Sequence, residues 1–201
     1  VNENTYSDGE ALAEGFKQLG LGTTIGMRTW GGQIWLNSSN RQSDGGLARA
    51  PMIGVYGNNG DWLIEGRGYE PDIVLDNLPH ETYNGKDAQL EAAIDLLKKK
   101  ILEEILEGMQ ERRADFAEVI SQEMGAPRKM AAGAQFGAGT IHFKNTLAVL
   151  DNFRFQEIHD NITINKLPIG PVGMITPWNW PLNQMCTKIA SAIADWNFIC
   201  C

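Results

Sequence analysis

The chain lacks the features of exported, membrane-spanning and nucleic-acid-binding proteins. Its 201 residues contain three cysteines, two of them the adjacent pair Cys200 and Cys201, so neither a disulfide framework nor a metal-ligand spacing is present. No apolar run approaches the roughly 18 to 20 residues that span a bilayer. A net charge of −8 disfavours nucleic acids and anionic membranes, because both attract clustered lysine and arginine. These absences predict a soluble, cytoplasmic protein without a metal site.

The first residues add no targeting signal. Val1 to Asn4 lack the basic and apolar regions of a signal peptide, and no initiator Met precedes them. We therefore expect no export, and we expect the chain to begin inside a larger protein. A length of 201 residues suffices for one large domain or two small ones.

The first part of the chain has the pattern of an α/β domain. Apolar residues between Gly9 and Gly20 recur at helical spacing, so a helix is predicted to begin just after Ser7. Short strands and one hairpin turn are predicted further on, the strands at Thr23–Gly26, Ile53–Tyr56 and Trp62–Ile64 and the turn at Gly57–Gly60. A strand, a helix and further strands together indicate an α/β fold.

Ser7 stands at the start of the predicted helix and allows two interpretations. Serine or aspartate at this point caps a helix by accepting a hydrogen bond from an early backbone N–H. A helix N-terminus also offers free N–H groups and a partial positive charge, so the Asp8 amide could hold the oxyanion formed when Ser7 attacks a carbonyl. The second interpretation requires a histidine base, because a serine hydroxyl alone is a weak nucleophile.

Three ordered motifs lie within residues 1–97. They are Asn2-Glu3-Asn4-Thr5-x-Ser7-Asp8-Gly9-Glu10, Gly26-x-Arg28-Thr29-Trp30-Gly31-Gly32 and Ile64-Glu65-Gly66-x-Gly68-x-Glu70-Pro71-Asp72-Ile73. This region resembles the C-terminal catalytic core of tricorn-type serine peptidases, relatives of the tail-specific, C-terminal-processing peptidases. The resemblance implies a peptide substrate and no cofactor. It also implies Ser7 as nucleophile, the Asp8 amide as oxyanion-hole donor and Glu65 as the acid of a Ser/His/Ser/Glu tetrad.

The histidine base of that family has no counterpart here. In the family the base and its neighbouring serine lie upstream of the nucleophile, in sequence that these residues do not include. His80 follows Asn77-Leu78-Pro79 in a predicted polar surface loop, and we do not expect it to act as the base. For Glu65, the alternative is a solvated carboxylate in a turn.

One helical pattern crosses the middle of the chain. Apolar residues recur at helical spacing from about Lys86 to Met124, with Gly108 as a mild interruption, and Gly125-Ala126-Pro127 stops the pattern. Because helices average roughly 11 to 12 residues, this length indicates a junction between two pieces. A coiled coil is less favoured because the repeat is too short. A second helix is predicted from Lys129 to about Leu150, with small residues that favour close helix packing.

The region from about Ile101 to Ala194 has a second resemblance. Two strands are predicted at Asn161–Lys166 and Gly173–Ile175, and a helix begins near Asn183. The motifs are Gln110-Glu111-Arg112-Arg113, Ser121-Gln122-Glu123-Met124-Gly125-Ala126-Pro127, Pro168-Ile169-Gly170-Pro171-Val172-Gly173 and the run from Ile175 to Asn183. This region resembles the N-terminal part of NAD-dependent aldehyde dehydrogenases.

The second resemblance implies an aldehyde substrate and NAD as cofactor. It implies that the Asn179 amide stabilises the thiohemiacetal oxyanion, and that Ile175, Thr176, Pro177 and Trp178 contact the cofactor. A Pro-Trp turn packing an aromatic ring on a core is the structural alternative. The family's nucleophilic cysteine and general-base glutamate come after this region, and we expect Cys186 to be a small buried packing residue.

The predicted architecture is α/β, with two truncated α/β pieces joined by a long helix. The pieces are a peptidase core at 1–97 and a dehydrogenase N-terminal part at 98–194, followed by a tail at 195–201 outside the family. We expect a peptidase fragment fused to an incomplete dehydrogenase segment, inactive in isolation. The alternatives are aldehyde dehydrogenase as the defining activity and a non-catalytic chimaera. Exposed apolar edges would favour an oligomer or a complementary chain as partner.

Overall fold

The computed structural model describes residues 1–195 and the backbone of residues 199–200. The chain divides into two compact units, Val1–Ala93 and Ile94–Cys201. Its described strands form four two-stranded sheets among a larger share of helix, so the predicted α/β class is confirmed as a mixed α/β fold. No described helix is long and apolar enough to cross a membrane. The predicted tail at 195–201 lies outside the described residues, apart from Asp195 and the backbone of 199–200.

The first unit combines short helices with two small sheets. Its helices are α1 (Asp8–Gln18), α2 (Pro79–Tyr83) and the beginning of α3 (Ala88–Glu111), and its strands are β1 (Ile25–Gly26), β2 (Trp35–Arg41), β3 (Leu47–Ile53) and β4 (Ile73–Val74). Strands β1 and β4 pair in parallel, and β2 and β3 form an antiparallel hairpin. The helix predicted to begin after Ser7 is confirmed as α1.

The hairpin predicted around Gly57–Gly60 is reduced to one bridge between Tyr56 and Trp62, whose rings stack at 4.2 Å between centroids. Ile53 instead belongs to β3, where it pairs with Trp35. The chain leaves the extended conformation directly after Trp62, with bends at residues 63–64 and a turn at residues 65–67, where Gly66 has φ of 78°. The longer hairpin of this unit is therefore β2–β3.

Thr24 and Asp72 connect the ends of β1 and β4. The Thr24 backbone N–H and hydroxyl donate to Asp72 Oδ2 at 2.9 and 2.8 Å, and the Thr24 hydroxyl lies 2.7 Å from the Tyr69 hydroxyl. Lys17 Nζ lies 3.3 Å from Asp72 Oδ1. The bonds from Thr24 and then from Lys17 lower the pKa of Asp72 from 3.8 to about 2.

The low pKa of Asp72 predicts a pH-dependent contribution to stability. The ionised carboxylate stabilises the folded state above the unfolded pKa of 3.8, and this contribution is lost as the pH falls through about 2. We expect Asp72→Asn to unfold at lower urea concentration than the unsubstituted chain at about pH 6, with the difference shrinking between about pH 4 and pH 2. Asp76→Asn removes an exposed carboxylate and is the control. If the difference in urea stability between Asp72→Asn and the unsubstituted chain did not change with pH, the Asp72 carboxylate would not be the source of this pH dependence.

The second unit is mainly helical. After the end of α3 it contains α4 (Arg113–Met124), α5 (Arg128–Met130), a π-helical turn (Ala131–Gln135), α6 (Phe136–Leu150) and α7 (Pro181–Ala194), with strands β5 (Gln156–His159), β6 (Ile162–Asn165), β7 (Val172–Gly173) and β8 (Ile199–Cys200). Strands β5 and β6 are antiparallel, and β7 and β8 are parallel. The buried core comes mainly from α3, α4, α6 and α7, with Ala126 and Ala131 between α4 and α6. Gly139 permits the approach of α7 to α6, since a Cβ there would lie 2.5 Å from Leu182 Cγ.

The single helix predicted from about Lys86 to Met124 is not confirmed. Helix α3 ends at Glu111 and α4 begins at Arg113, because Arg112 leaves the helical conformation with φ of −98° and ψ of 21°. The Arg112 N–H still donates to the Gly108 carbonyl, at a long 3.3 Å. The Arg113 guanidinium donates two bonds to the Ala132 carbonyl, at 3.0 and 2.7 Å, and so holds the start of α4 against the π-helical turn.

Candidate functional site

Ser7 has an unusual backbone conformation at the N-terminus of α1. It is the N-cap residue, with φ of 52° and ψ of −120°. A positive φ in a residue other than glycine costs about 1–3 kcal/mol, so neighbouring contacts must maintain it. None of the described hydrogen bonds uses the N–H of the next residue, Asp8, which begins α1 and is exposed. The site therefore presents a strained serine beside a free helix N-terminal N–H.

A buried carboxylate fixes this conformation. Glu10 is fully buried, and its Oε2 accepts hydrogen bonds from the N–H groups of Ser7 and Gly32 at 3.2 and 2.9 Å. Its Oε1 accepts from the Thr29 hydroxyl at 2.5 Å and from the Gly31 N–H at 2.6 Å. Hydrogen bonds from these four donors offset the free-energy cost of removing the Glu10 carboxylate from water. Glu10 therefore ties Ser7 to the Gly31–Gly32 loop.

The same loop binds Glu65. The half-buried Glu65 carboxylate accepts hydrogen bonds through Oε2 from the N–H groups of Gln33 and Ile34, at 2.6 and 2.8 Å. The Gly66 N–H donates to the Gly31 carbonyl at 2.9 Å, which holds the Glu65 turn against the loop. Four consecutive backbone N–H groups, at residues 31–34, thus bind the carboxylates of Glu10 and Glu65. The loop therefore connects Glu10, which holds the Ser7 N–H, with Glu65.

Glu10 belongs to this site, but no role was predicted for it from the sequence. A signal for it existed, because glutamate three residues after a serine N-cap is the capping-box pattern. The pattern explains the bond to the Ser7 N–H. It does not reveal the bonds to Thr29, Gly31 and Gly32, which are distant in sequence.

A histidine base is not connected to Ser7 in the described residues. His80 is the histidine of the first unit and lies exposed in α2. None of the described hydrogen bonds joins its ring to Ser7 or Glu65. The described site therefore contains candidates for a nucleophile, an oxyanion donor and an acid, and no described histidine bonded to them.

In the second unit, residues 174–180 form the loop between β7 and α7. Ile175 is 93% exposed and Trp178 is 77% exposed, while Pro177 and Asn179 are exposed and Thr176 is half-buried. The Trp178 ring therefore does not pack on the core, contrary to the structural alternative considered for this motif. Trp180 is the N-cap of α7 and Pro181 its first residue, so Asn179 lies just before a helix N-terminus.

Cys186 lies inside the core of the second unit. It is 3% exposed, in the cluster that also contains Phe143 and Leu182. Burial raises the pKa of the Cys186 thiol from 9.0 to about 11, because the low-polarity surroundings disfavour the thiolate. The prediction that Cys186 is a packing residue is confirmed.

The raised pKa predicts a chemically inert thiol. Alkylation requires the thiolate, and a rise from 9.0 to about 11 lowers the thiolate fraction about 100-fold at about pH 8. We expect iodoacetamide to modify Cys186 at least about 100-fold more slowly in the folded chain than in urea, as measured by peptide mass spectrometry. Equal rates in the two states would contradict a buried thiol.

The sequence profile of the aldehyde dehydrogenase family matches residues 95–200, which is more than half of the chain. The chain belongs to the aldehyde dehydrogenase family. A second family profile, that of peptidase family S41, matches residues 1–75 of the same chain. Both resemblances inferred from the sequence are confirmed.

Individual relatives match different parts of the chain. The 3-succinoylsemialdehyde-pyridine dehydrogenase of a Pseudomonas species is 36% identical over 47% of this chain, and the tricorn protease of Thermoplasma acidophilum is 36% identical over 50% of it. The crystal structure of aldehyde dehydrogenase C from Pseudomonas syringae, in complex with NAD+ and octanal, has 34% identity and a TM-score of 0.51 over 52% of this chain. The chain spans 20% of the Pseudomonas dehydrogenase, 9% of the tricorn protease and 22% of the Pseudomonas syringae chain.

Proposed function

We propose that the first unit is the nucleophile-bearing part of a serine peptidase site. Ser7 attacks the peptide carbonyl, the Asp8 N–H stabilises the oxyanion, and Glu65 is the acid of the catalytic group. The observation that supports this proposal is the strained Ser7 backbone, which Glu10 holds beside the unused Asp8 N–H. A residue that only capped a helix would gain nothing from a positive φ.

The proposed reaction also needs a proton acceptor. When Ser7 Oγ bonds to the carbonyl carbon, its proton passes to a histidine, which then protonates the leaving amine, and water releases the acyl group. We propose that a histidine of a complementary chain supplies this base. The 201-residue chain is then inactive in isolation.

A fluorophosphonate probe tests this proposal because it labels activated serines. We expect no labelling of Ser7 in the isolated chain above the background of Ser7→Ala. We expect labelling when the histidine-bearing region of a tricorn-type relative is added. Ser39→Ala, which removes a serine of β2, is the matched control and should not change the labelling.

Two results would contradict parts of the proposal. Labelling of the isolated chain that is lost in Ser7→Ala would show that no complementary chain is needed. Absence of labelling in both preparations would remove Ser7 as the nucleophile.

We propose a second, separate contribution from the unit that matches aldehyde dehydrogenases. Asn179 is the oxyanion donor, and Ile175 to Trp178 are one wall of an NAD site. The exposed loop before α7 supports this, because its apolar side chains have no covering core. Apolar side chains suit contact with the face of a nicotinamide ring, and here they would form one open wall of the site. NAD, when bound, accepts a hydride from the substrate.

The dehydrogenase contribution is tested by NADH formation from NAD+ and octanal. We expect none above a blank in the isolated chain, because Cys186 is buried and its raised pKa keeps it protonated. NADH formation by the isolated chain that is lost in Asn179→Ala would contradict the expected inactivity. If neither this assay nor complemented labelling gives a signal, the chain is a non-catalytic chimaera.

A further inference from the structure

We propose that a surface cavity of the first unit binds a free α-amino acid through its ammonium and carboxylate groups together. The cavity has a volume of about 330 Å³ and is lined by Glu14 and Lys17 of α1 and by residues 63 and 67–70. This volume lies near the lower end of small-molecule sites and suits one amino acid rather than a longer peptide. The lining does not include Ser7, Asp8 or Glu65, so the inference goes beyond the proposed peptidase reaction and does not depend on it.

Buried groups fix the backbone on one side of this cavity. Tyr69 is 2% exposed, and its N–H donates to the Thr29 hydroxyl at 2.7 Å. Gly68 is also buried and has φ of 80°, and a Cβ there would lie 2.2 Å from the Thr29 carbonyl oxygen. The segment that carries the side chains of Arg67 and Glu70 is therefore held against the interior of the unit.

One cation of the lining is already paired inside the protein. Lys17 Nζ lies 3.3 Å from Asp72 Oδ1 and donates to the Glu70 carbonyl at 3.4 Å. Asp72 does not belong to the lining, and its carboxylate offsets the charge of Lys17. The cation that is left for a ligand is therefore Arg67.

Arg67 and two carboxylates face this cavity without pairing with each other. Arg67 Nε donates to the Leu63 carbonyl at 2.9 Å, which fixes the stem of the side chain, and none of the described bonds uses its two terminal nitrogens. Glu14 accepts one bond, from the Gln18 side chain, and the Glu70 carboxylate takes part in none of the described bonds. None of the described ion pairs joins Arg67 to either carboxylate.

This separation of unpaired charges favours a dipolar occupant. A ligand with a carboxylate alone would bind Arg67 and be repelled by Glu14 and Glu70, and a ligand with an ammonium alone would meet the opposite conflict. A guanidinium forms two parallel hydrogen bonds with a carboxylate, and an ammonium group donates three. An α-amino acid carries both groups, and an aliphatic side chain on it could contact Leu63.

The test compares three matched ligands on the full 201-residue chain. They are leucine, N-acetyl-leucine, which lacks the ammonium group, and leucine amide, which lacks the carboxylate. Binding is measured at about pH 6, where the ammonium group is charged, from the NMR shift of the Gly68 backbone amide. We expect leucine to bind roughly 3- to 5-fold more tightly than either analogue, as expected for one exposed charge pair.

Two sets of variants assign the two preferences. We expect Arg67→Gln to remove the preference for leucine over leucine amide, and Glu14→Gln combined with Glu70→Gln to remove the preference over N-acetyl-leucine. Arg49→Gln removes an exposed arginine of β3 and is the control for Arg67→Gln, and it should leave all three affinities unchanged.

Absence of leucine binding, equal affinity for the three ligands, or preferences that survive in these variants would overturn the inference. Failure of the proposed peptidase is a separate result, because fluorophosphonate labelling depends on Ser7 and a histidine base. Leucine preference without any labelling of Ser7 removes the peptidase and keeps the amino-acid site. Labelling of Ser7 without leucine preference removes the amino-acid site alone.

Discussion

Glu10→Ala is expected to destabilise the first unit by about 3–5 kcal/mol, because a buried acceptor of four hydrogen bonds is lost. The donors of Ser7, Thr29, Gly31 and Gly32 would remain without their carboxylate. Each unsatisfied buried donor costs about 1–3 kcal/mol, and water entering the vacated space would recover part of that cost. Hydrogen exchange of amides in residues 1–93, measured against denaturant, reports the change in this unit.

The matched control lies one turn away on the same helix. Glu14 is only half-buried, and its carboxylate accepts a single bond from the Gln18 side chain. Glu14→Ala is therefore expected to change stability by no more than about 0.5 kcal/mol. If Glu10→Ala and Glu14→Ala behaved alike, the Glu10 carboxylate would not hold the Ser7 conformation.

The candidate site was predictable where the information is local. Ser7 at a helix start and Glu65 before two glycines follow from short motifs. The connection between them was not predictable, because it depends on backbone N–H groups of residues 31–34, far from both residues in sequence. Backbone groups carry no sequence signal of their own. The structure therefore adds the loop that joins the two carboxylates.

The same distinction applies to the fold. Helix α1 follows from apolar spacing, and the close packing of α6 follows from its content of small residues. Hairpin β2–β3 was missed because nearly all of its side chains are exposed, so no alternation of polar and apolar residues marks it. The break at Arg112 was missed because α3 and α4 keep the same apolar spacing on both sides. Periodicity records which face is buried, whereas the direction of a helix depends on distant partners such as the Ala132 carbonyl.

The two units also differ in how their sites are supported. The residues around Ser7 are held by buried and part-buried hydrogen bonds to Glu10, whereas Ile175 and Trp178 extend into solvent from a loop. Preorganised donors stabilise a developing charge better than exposed ones do. The loop of the second unit is therefore less preorganised than the Ser7 site. Its connection to a folded core is through α7, whose packing can be tested directly.

Phe143→Ala is expected to destabilise the second unit by about 3–5 kcal/mol, the range for removing a buried phenylalanine side chain. Phe143 is 1% exposed and belongs to the core that α6 shares with α7. Loss of the ring leaves a cavity that the surrounding helices fill only in part. Hydrogen exchange in α6 and α7, measured against denaturant, should report the full loss.

Ile141→Ala supplies the comparison because it removes an apolar side chain from the same helix. Ile141 is 45% exposed, so its deletion opens no closed cavity and is expected to cost less than about 1 kcal/mol. Because Asn179 directly precedes Trp180, the N-cap of α7, loosening the packing of α7 should also raise exchange at its start, next to Asn179. Similar costs for Phe143→Ala and Ile141→Ala would show that α6 and α7 do not share a packed core. The position of Asn179 would then depend on groups outside this unit.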